Sequence, residues 1–117
     1  MHPKVTDVER LKKQVRKLAA GSVLSGGGAD VCLDLAQMAA CRVRIAAGYG
    51  PLSKTPQAIP QDSLIWILDG YAEIHNSAGQ VINVSQGEST TLTGGEAYRL
   101  VFPHLTIYLR VEVVGTA

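Results

Sequence analysis

SLIWILDGYAEIHNSAGQVINVSQGESTTLTGG, residues 63–95, decides the fold. Ser63–Leu68 is a strand-like run stopped by Asp69-Gly70, and Tyr71–His75 is a second run that ends in the turn Asn76–Gly79. Gln80–Val84, a turn at Gln86-Gly87, a Thr-rich run over Glu88–Leu92 and a Gly94-Gly95 turn follow, and two closing strands extend the series to Val113. Short β-rich runs broken by glycine turns about every ten residues predict an all-β sandwich or barrel.

Working outward, Val31, Leu33 and Leu35 alternate with Cys32 and Asp34, and Cys41, Val43 and Ile45 alternate with Arg42 and Arg44. These read as two half-buried strands. A turn centred near Met38 would set Asp34 opposite Arg42, and would put Cys32 and Cys41 on opposite faces as free thiols. Residues 48–62 hold three prolines and no clean period, so they read as a long loop or irregular edge. At the start, Thr6-Asp7-Val8-Glu9 matches a capping box. Val8, Leu11, Val15 and Leu18 recur at helical spacing until Gly21, which predicts a short amphipathic helix in residues 1–21 ahead of a barrel in 22–117.

With 117 residues and a net charge of +1, the chain is one domain with no global field drawing it to nucleic acid or anionic membrane. Six of the eleven Lys and Arg do fall between Lys4 and Lys17, but a charged helix face of this kind reads as solvated. Nucleic acid is therefore not an expected partner, and neither is membrane. The N-terminal stretch has no signal-peptide core, so a cytoplasmic protein is expected. Two cysteines nine positions apart form neither a disulfide framework nor a zinc site.

Parity along the strands predicts what faces inward. The expected inward sets are Cys41, Val43, Ile45 and Tyr49; Ser63, Ile65 and Ile67; Tyr98, Leu100 and Phe102; and Leu105, Ile107, Leu109, Val111 and Val113. Thr106, Tyr108, Arg110 and Glu112 are then expected to face outward. Ser63–Leu68 is apolar on both parities, so both of its faces need cover. The helix and a second subunit are the two candidates for the Leu64, Trp66 and Leu68 face, and a homodimer with the helix as partial cover is the favoured arrangement.

The pattern Ile67-Leu68-Asp69-Gly70, a turn at Gly79, Gly87-Glu88 and Gly94-Gly95 resembles the cupin superfamily, most of all its small single-domain members of the ethanolamine-utilisation and ureidoglycine type. The resemblance covers about residues 41–113. It implies a cupin-like jelly roll or conserved β-barrel of six or more antiparallel strands, often dimeric, with a ligand site inside. The first cupin motif, G-x5-H-x-H-x4-E-x6-G, keeps its end glycines as Gly50 and Gly70. Pro56, Ala58 and Ser63 occupy its two histidine positions and its glutamate position, and the shorter spacing offers only Gln57 and Ile59. The second motif, G-x5-P-x-G-x2-H-x3-N, keeps Gly87 and Gly95 but has Thr93, Tyr98 and Phe102 in place of proline, histidine and asparagine.

All four metal-ligand positions thus lack their ligands, and a divalent cation needs converging imidazole and carboxylate donors. His2, His75 and His104 stand at none of these positions. The expectation is a cupin with no metal and no cofactor, binding a small organic molecule near Tyr98, Ser63, Gln57 and Tyr49. Two other readings stay open. One is a metal-independent isomerase or lyase using Tyr98, which needs a histidine or carboxylate within hydrogen-bonding reach; parity places none beside it. The other is a structural or interaction protein with a filled barrel.

Overall fold

A computed structural model describes residues 7–24, 29–37 and 40–113. Helix α1 (Val8–Leu24) is followed by eight strands: β1 (Ala29–Gln37), β2 (Cys41–Pro51), β3 (Gln57–Ala58), β4 (Ser63–Asp69), β5 (Tyr71–Asn76), β6 (Val81–Ser85), β7 (Ser89–Leu92) and β8 (Ala97–Val113). The architecture is all-β and antiparallel with one N-terminal helix, as expected. Two expected closing strands are one continuous seventeen-residue strand, β8.

β8 organises the sheet. Its C-terminal half lies between β2 and β4 in the order β1-β2-β8-β4-β7, while its N-terminal half pairs with β3, with β5 and with the end of β2. One strand therefore belongs to both walls and folds the sheet over itself, although the sheet does not close. At the β4–β5 corner Gly70 has φ +117°, and a Cβ there would meet the Thr106 hydroxyl at 2.5 Å. That hydroxyl accepts from the Tyr71 N–H and so needs the space.

Two apolar clusters lie on opposite sides of the sheet. The inner one joins Ala46, Ile65, Ile67, Ile74, Phe102 and Tyr108, with the Phe102 and Tyr108 rings stacked at 5.1 Å. The other packs Val15 and Ala19 of α1 on Ile45, Ala47 and Ile107, with Leu11, Tyr49, Leu68, Leu105 and Leu109 around them.

This arrangement corrects several sequence expectations. Ser63, Ile65, Ile67, Tyr98, Leu100 and Phe102 do face inward, but parity is reversed on β2 and on the second half of β8. Ile45 and Tyr49 lie under the helix with Leu105, Ile107 and Leu109, whereas Tyr108 is inside. The cause is the helix itself: it docks on the more continuous aliphatic row, leaving the row with aromatic and charged side chains for the interior. Helix α1 is capped by Asp7, whose carboxylate accepts from the Arg10 N–H; Thr6 lies outside the described residues. It continues through Gly21 to Leu24, and it buries Ala19 where Leu18 was expected, leaving Leu18 49% exposed.

The expected Asp34–Arg42 pairing is also displaced. Asp34 pairs with Arg44, and a bulge between Asp34 and Ala36 shifts the register beyond it. The turn at Met38 lies outside the described residues. Both cysteines are free. No helix among the described residues is long and apolar enough to cross a membrane.

Candidate functional site

The four residues expected to bind a ligand are not brought together. Tyr98 is buried in the inner cluster, and its hydroxyl accepts from the Thr93 N–H at 2.9 Å and donates to Glu96 Oε2 at 3.0 Å. Ser63 is buried and donates to the Gln61 carbonyl. Gln57 pairs with Tyr98 across strands, but its side chain is exposed and turns back to Thr55. Tyr49 is on the helix side of the sheet. The carboxylate beside Tyr98 corrects the expectation of none: Glu96 stands two residues earlier, just past the Gly94-Gly95 turn, and so shares the face of Tyr98.

A metal does not fit this donor set. The ligand positions hold no imidazole, and the Tyr98 hydroxyl is engaged on both sides. Among the described residues no three His, Cys, Asp or Glu side chains are grouped to hold a metal ion. His75 stands 3.4 Å from Glu73. His2 lies outside the described residues.

The polar chemistry of the inner face lies elsewhere. The reversed parity turns Arg42 and Arg44 of β2, and Tyr108, Arg110 and Glu112 of β8, toward the interior side. Arg42 is the cross-strand partner of Glu112, Arg44 that of Arg110, and Ser63 of β4 flanks Glu112 on its other side. Three guanidiniums converge on one carboxylate oxygen, Glu112 Oε1. Arg44 Nη2 donates to it directly, while Arg42 Nη2 and Arg110 Nε stand at 3.6 and 3.8 Å.

Burial alone would push the Glu112 carboxyl up. The hydrogen bond from Arg44 and the charges of Arg110, Arg44 and Arg42 outweigh that and hold it below the ordinary carboxylate range. Burial likewise works against the charge on Arg44, and Glu112 more than offsets it. The Nε atoms of Arg42, Arg44 and Arg110 are buried with no acceptor. A buried donor left unmade costs roughly 1–3 kcal/mol.

Next to this cluster the Tyr108 hydroxyl donates to Asp30 at 2.8 Å, and Arg44 Nη1 reaches Cys32 Sγ at 3.5 Å. Burial, then the charge and hydrogen bond of Asp30, push the Tyr108 pKa well above that of a free phenol, so it stays a neutral donor.

The outer face is apolar where the helix ends. Leu68 is covered by α1, but Trp66 is 45% exposed. An open groove of about 330 Å³ lies at the β4–β7–β8 edge, where Ser63 and Leu92 of the inner face meet Leu64, Thr91, Val111 and Val113.

Comparison with solved structures places this architecture. A conserved protein of unknown function from Streptococcus pyogenes superposes with a TM-score of 0.67 at 20% identity, over 100% of this chain and 92% of that one. The EutQ protein of Clostridium difficile gives 0.65 at 15% identity over 74% of this chain and 69% of its own. A cupin superfamily protein from Desulfitobacterium hafniense gives 0.63 at 16% identity, over 74% and 79%. The fold is that of the cupins. No protein-family model matches the sequence, and no curated protein matches it either. The cupin fold thus stands on architecture and on the spacing of Gly50, Gly70, Gly87 and Gly95 rather than on ligand residues.

Alternation hides the arginine cluster in the sequence, because its members sit between aliphatic residues and so resemble a solvent-facing row. A signal was present. Of the five Lys and Arg after Lys17, three are Arg42, Arg44 and Arg110, and they fall on two long strands that pair.

Proposed function

We propose that the chain is a metal-free cupin-fold domain that binds a small organic molecule on its inner face and works as a cytoplasmic homodimer. The observation that carries this reading is the cluster of Arg42, Arg44, Arg110 and Glu112 on the interior side of the sheet. A barrel that served only as scaffold gains nothing from three inward guanidiniums with unmade donors, and apolar side chains would fill the same space at less cost. The pocket expected around Tyr98, Ser63, Gln57 and Tyr49 is thereby narrowed to the end where Ser63 meets the arginines. The dimer draws its support from the partly uncovered Leu64 and Trp66 face.

A thermal-shift screen over small acids, sugar phosphates, sugars and amines tests the binding reading. A compound at a hundred times its dissociation constant adds about 2.7 kcal/mol to stability. A panel that leaves the unfolding midpoint unmoved throughout would sink the reading.

One observation favours a second reading, a metal-independent enzyme. Glu96 Oε2, at 3.0 Å from the Tyr98 hydroxyl, could take up the phenolic proton during acid–base chemistry. Tyr98→Phe would then abolish turnover of a compound found in the screen while leaving its binding in place; turnover unaffected by the substitution would exclude a role for Tyr98.

A further inference from the structure

Arg44 and Arg110 are direct cross-strand partners, an arrangement of like charges that works against pairing unless an anion lies between or beside them. Glu112 supplies one negative charge, through one oxygen, to three guanidiniums, which leaves two positive charges unmatched at that point. Two further carboxylates stand near. Asp30 is taken by the Tyr108 hydroxyl, and Asp34, the exposed β1 partner of Arg44, adds only a longer-range attraction to it. Each arginine also keeps an Nε–H out of water with no acceptor. Buried donors of this kind are rare in folded chains, and a bound oxyanion is one partner that would satisfy them.

The three side chains are arginines, whose planar forks match the flat oxygen pairs of carboxylates and the oxygens of phosphates. They stay charged when partly buried, as a lysine often does not.

We propose that Arg42, Arg44 and Arg110 form a binding site for the carboxylate or phosphate group of a small molecule, with Glu112 as the resident counter-charge. The proposal rests on the reading that the inner face binds a small molecule, and names the chemical class it takes. Glu112 keeps the guanidiniums converged in the empty site and, by occupying part of their charge, limits how tightly the incoming oxyanion is held.

The test is calorimetric titration of the full chain with inorganic phosphate and, separately, with succinate, against chloride at matched ionic strength. The two anions distinguish a phosphate ligand from a carboxylate one. Saturable binding of at least one is expected. Its dissociation constant should rise by about tenfold or more in Arg110→Gln and in Arg44→Gln, the loss expected for a charge-assisted hydrogen bond. It should fall in Glu112→Gln, because the competing carboxylate is gone. The opposite signs set a binding site apart from a structural ion cluster, in which all three substitutions would only weaken the fold. If Arg44→Gln does not fold, Arg44→Lys keeps the charge without the fork, and it should also weaken binding.

Absence of saturable binding by both anions overturns the proposal, as does binding that moves in the same direction in Arg110→Gln and Glu112→Gln. If only neutral compounds shift the unfolding midpoint, and do so equally in the natural chain and in Arg110→Gln, this proposal alone is overturned and small-molecule binding stands.

Discussion

A methyl group at Gly48 has no room. Its Cβ would stand 2.5 Å from two atoms of the Phe102 ring, and that ring is fully buried and stacked on Tyr108, so it cannot swing aside. Gly48→Ala should therefore cost about 1–3 kcal/mol, the usual toll of overpacking. Urea denaturation would show it as a lowered midpoint with an unchanged slope, and an unchanged midpoint would mean the aromatic stack is looser than described. Tyr108 carries a second expectation, in pH. Its pKa is raised in the folded chain, chiefly by burial and then by Asp30, so the folded state holds its proton more tightly than the unfolded one. The sign follows from linkage: stability is fully present below the unfolded phenol value of about 10 and falls as pH rises beyond it toward the folded value. Tyr108→Phe removes that titration, and its stability should decline less steeply than the natural chain's in alkaline titrations followed by circular dichroism. Equal slopes would show that other groups govern the alkaline limb.

At the scale of elements, helix α1 is held by its apolar row rather than by its charges. Val15 and Ala19 are fully buried against Ile45, Ala47 and Ile107, while the Arg16–Asp69 pair, at 2.6 Å, has both side chains nearly half exposed. Screening by water leaves such a pair under about 1 kcal/mol. Losing most of the Val15 side chain should cost about 1–3 kcal/mol. Val15→Ala should thus destabilise more than Arg16→Ala in thermal unfolding, and the reverse order would mean that charge docks the helix. The same helix explains what the sequence made legible. Glycine turns and β-rich runs carried the strands from Ser63 to Leu92, because turn chemistry is local. Inward placement held for Ser63, Ile65, Ile67, Tyr98, Leu100 and Phe102. On β2 and the second half of β8 both rows are partly apolar, and which one faces inward depends on where α1 docks, a contact distant in sequence. Alternation alone favours the aliphatic row as the inward one, which would turn Arg42, Arg44, Arg110 and Glu112 toward solvent. A helix with one apolar face needs an aliphatic row to sit on, and Ile45, Ala47 and Ile107 are the continuous one.

For the molecule as a whole, an apolar area on the outer face of the sheet remains partly uncovered. Trp66, Leu64, Val111 and Val113 share the outer face of β4 and β8, outside the cluster that α1 covers, with Trp66 45% exposed. An aromatic of this size buries about 150–250 Å² when fully covered. A stable interface needs about 800 Å² on each side, so these residues could form the centre of a contact but not the whole of it. The homodimer reading makes a spectroscopic prediction because Trp66 is the only tryptophan. In a concentrated solution its emission should lie at the short wavelengths of a ring shielded from water. On dilution from micromolar to nanomolar it should move to longer wavelengths, in step with a falling sedimentation coefficient. Trp66→Ala should sediment as monomer at concentrations where the natural chain is dimeric. Emission and sedimentation that ignore dilution, or a Trp66→Ala variant that still dimerises, would place the subunit contact away from this face and leave the exposed indole as surface.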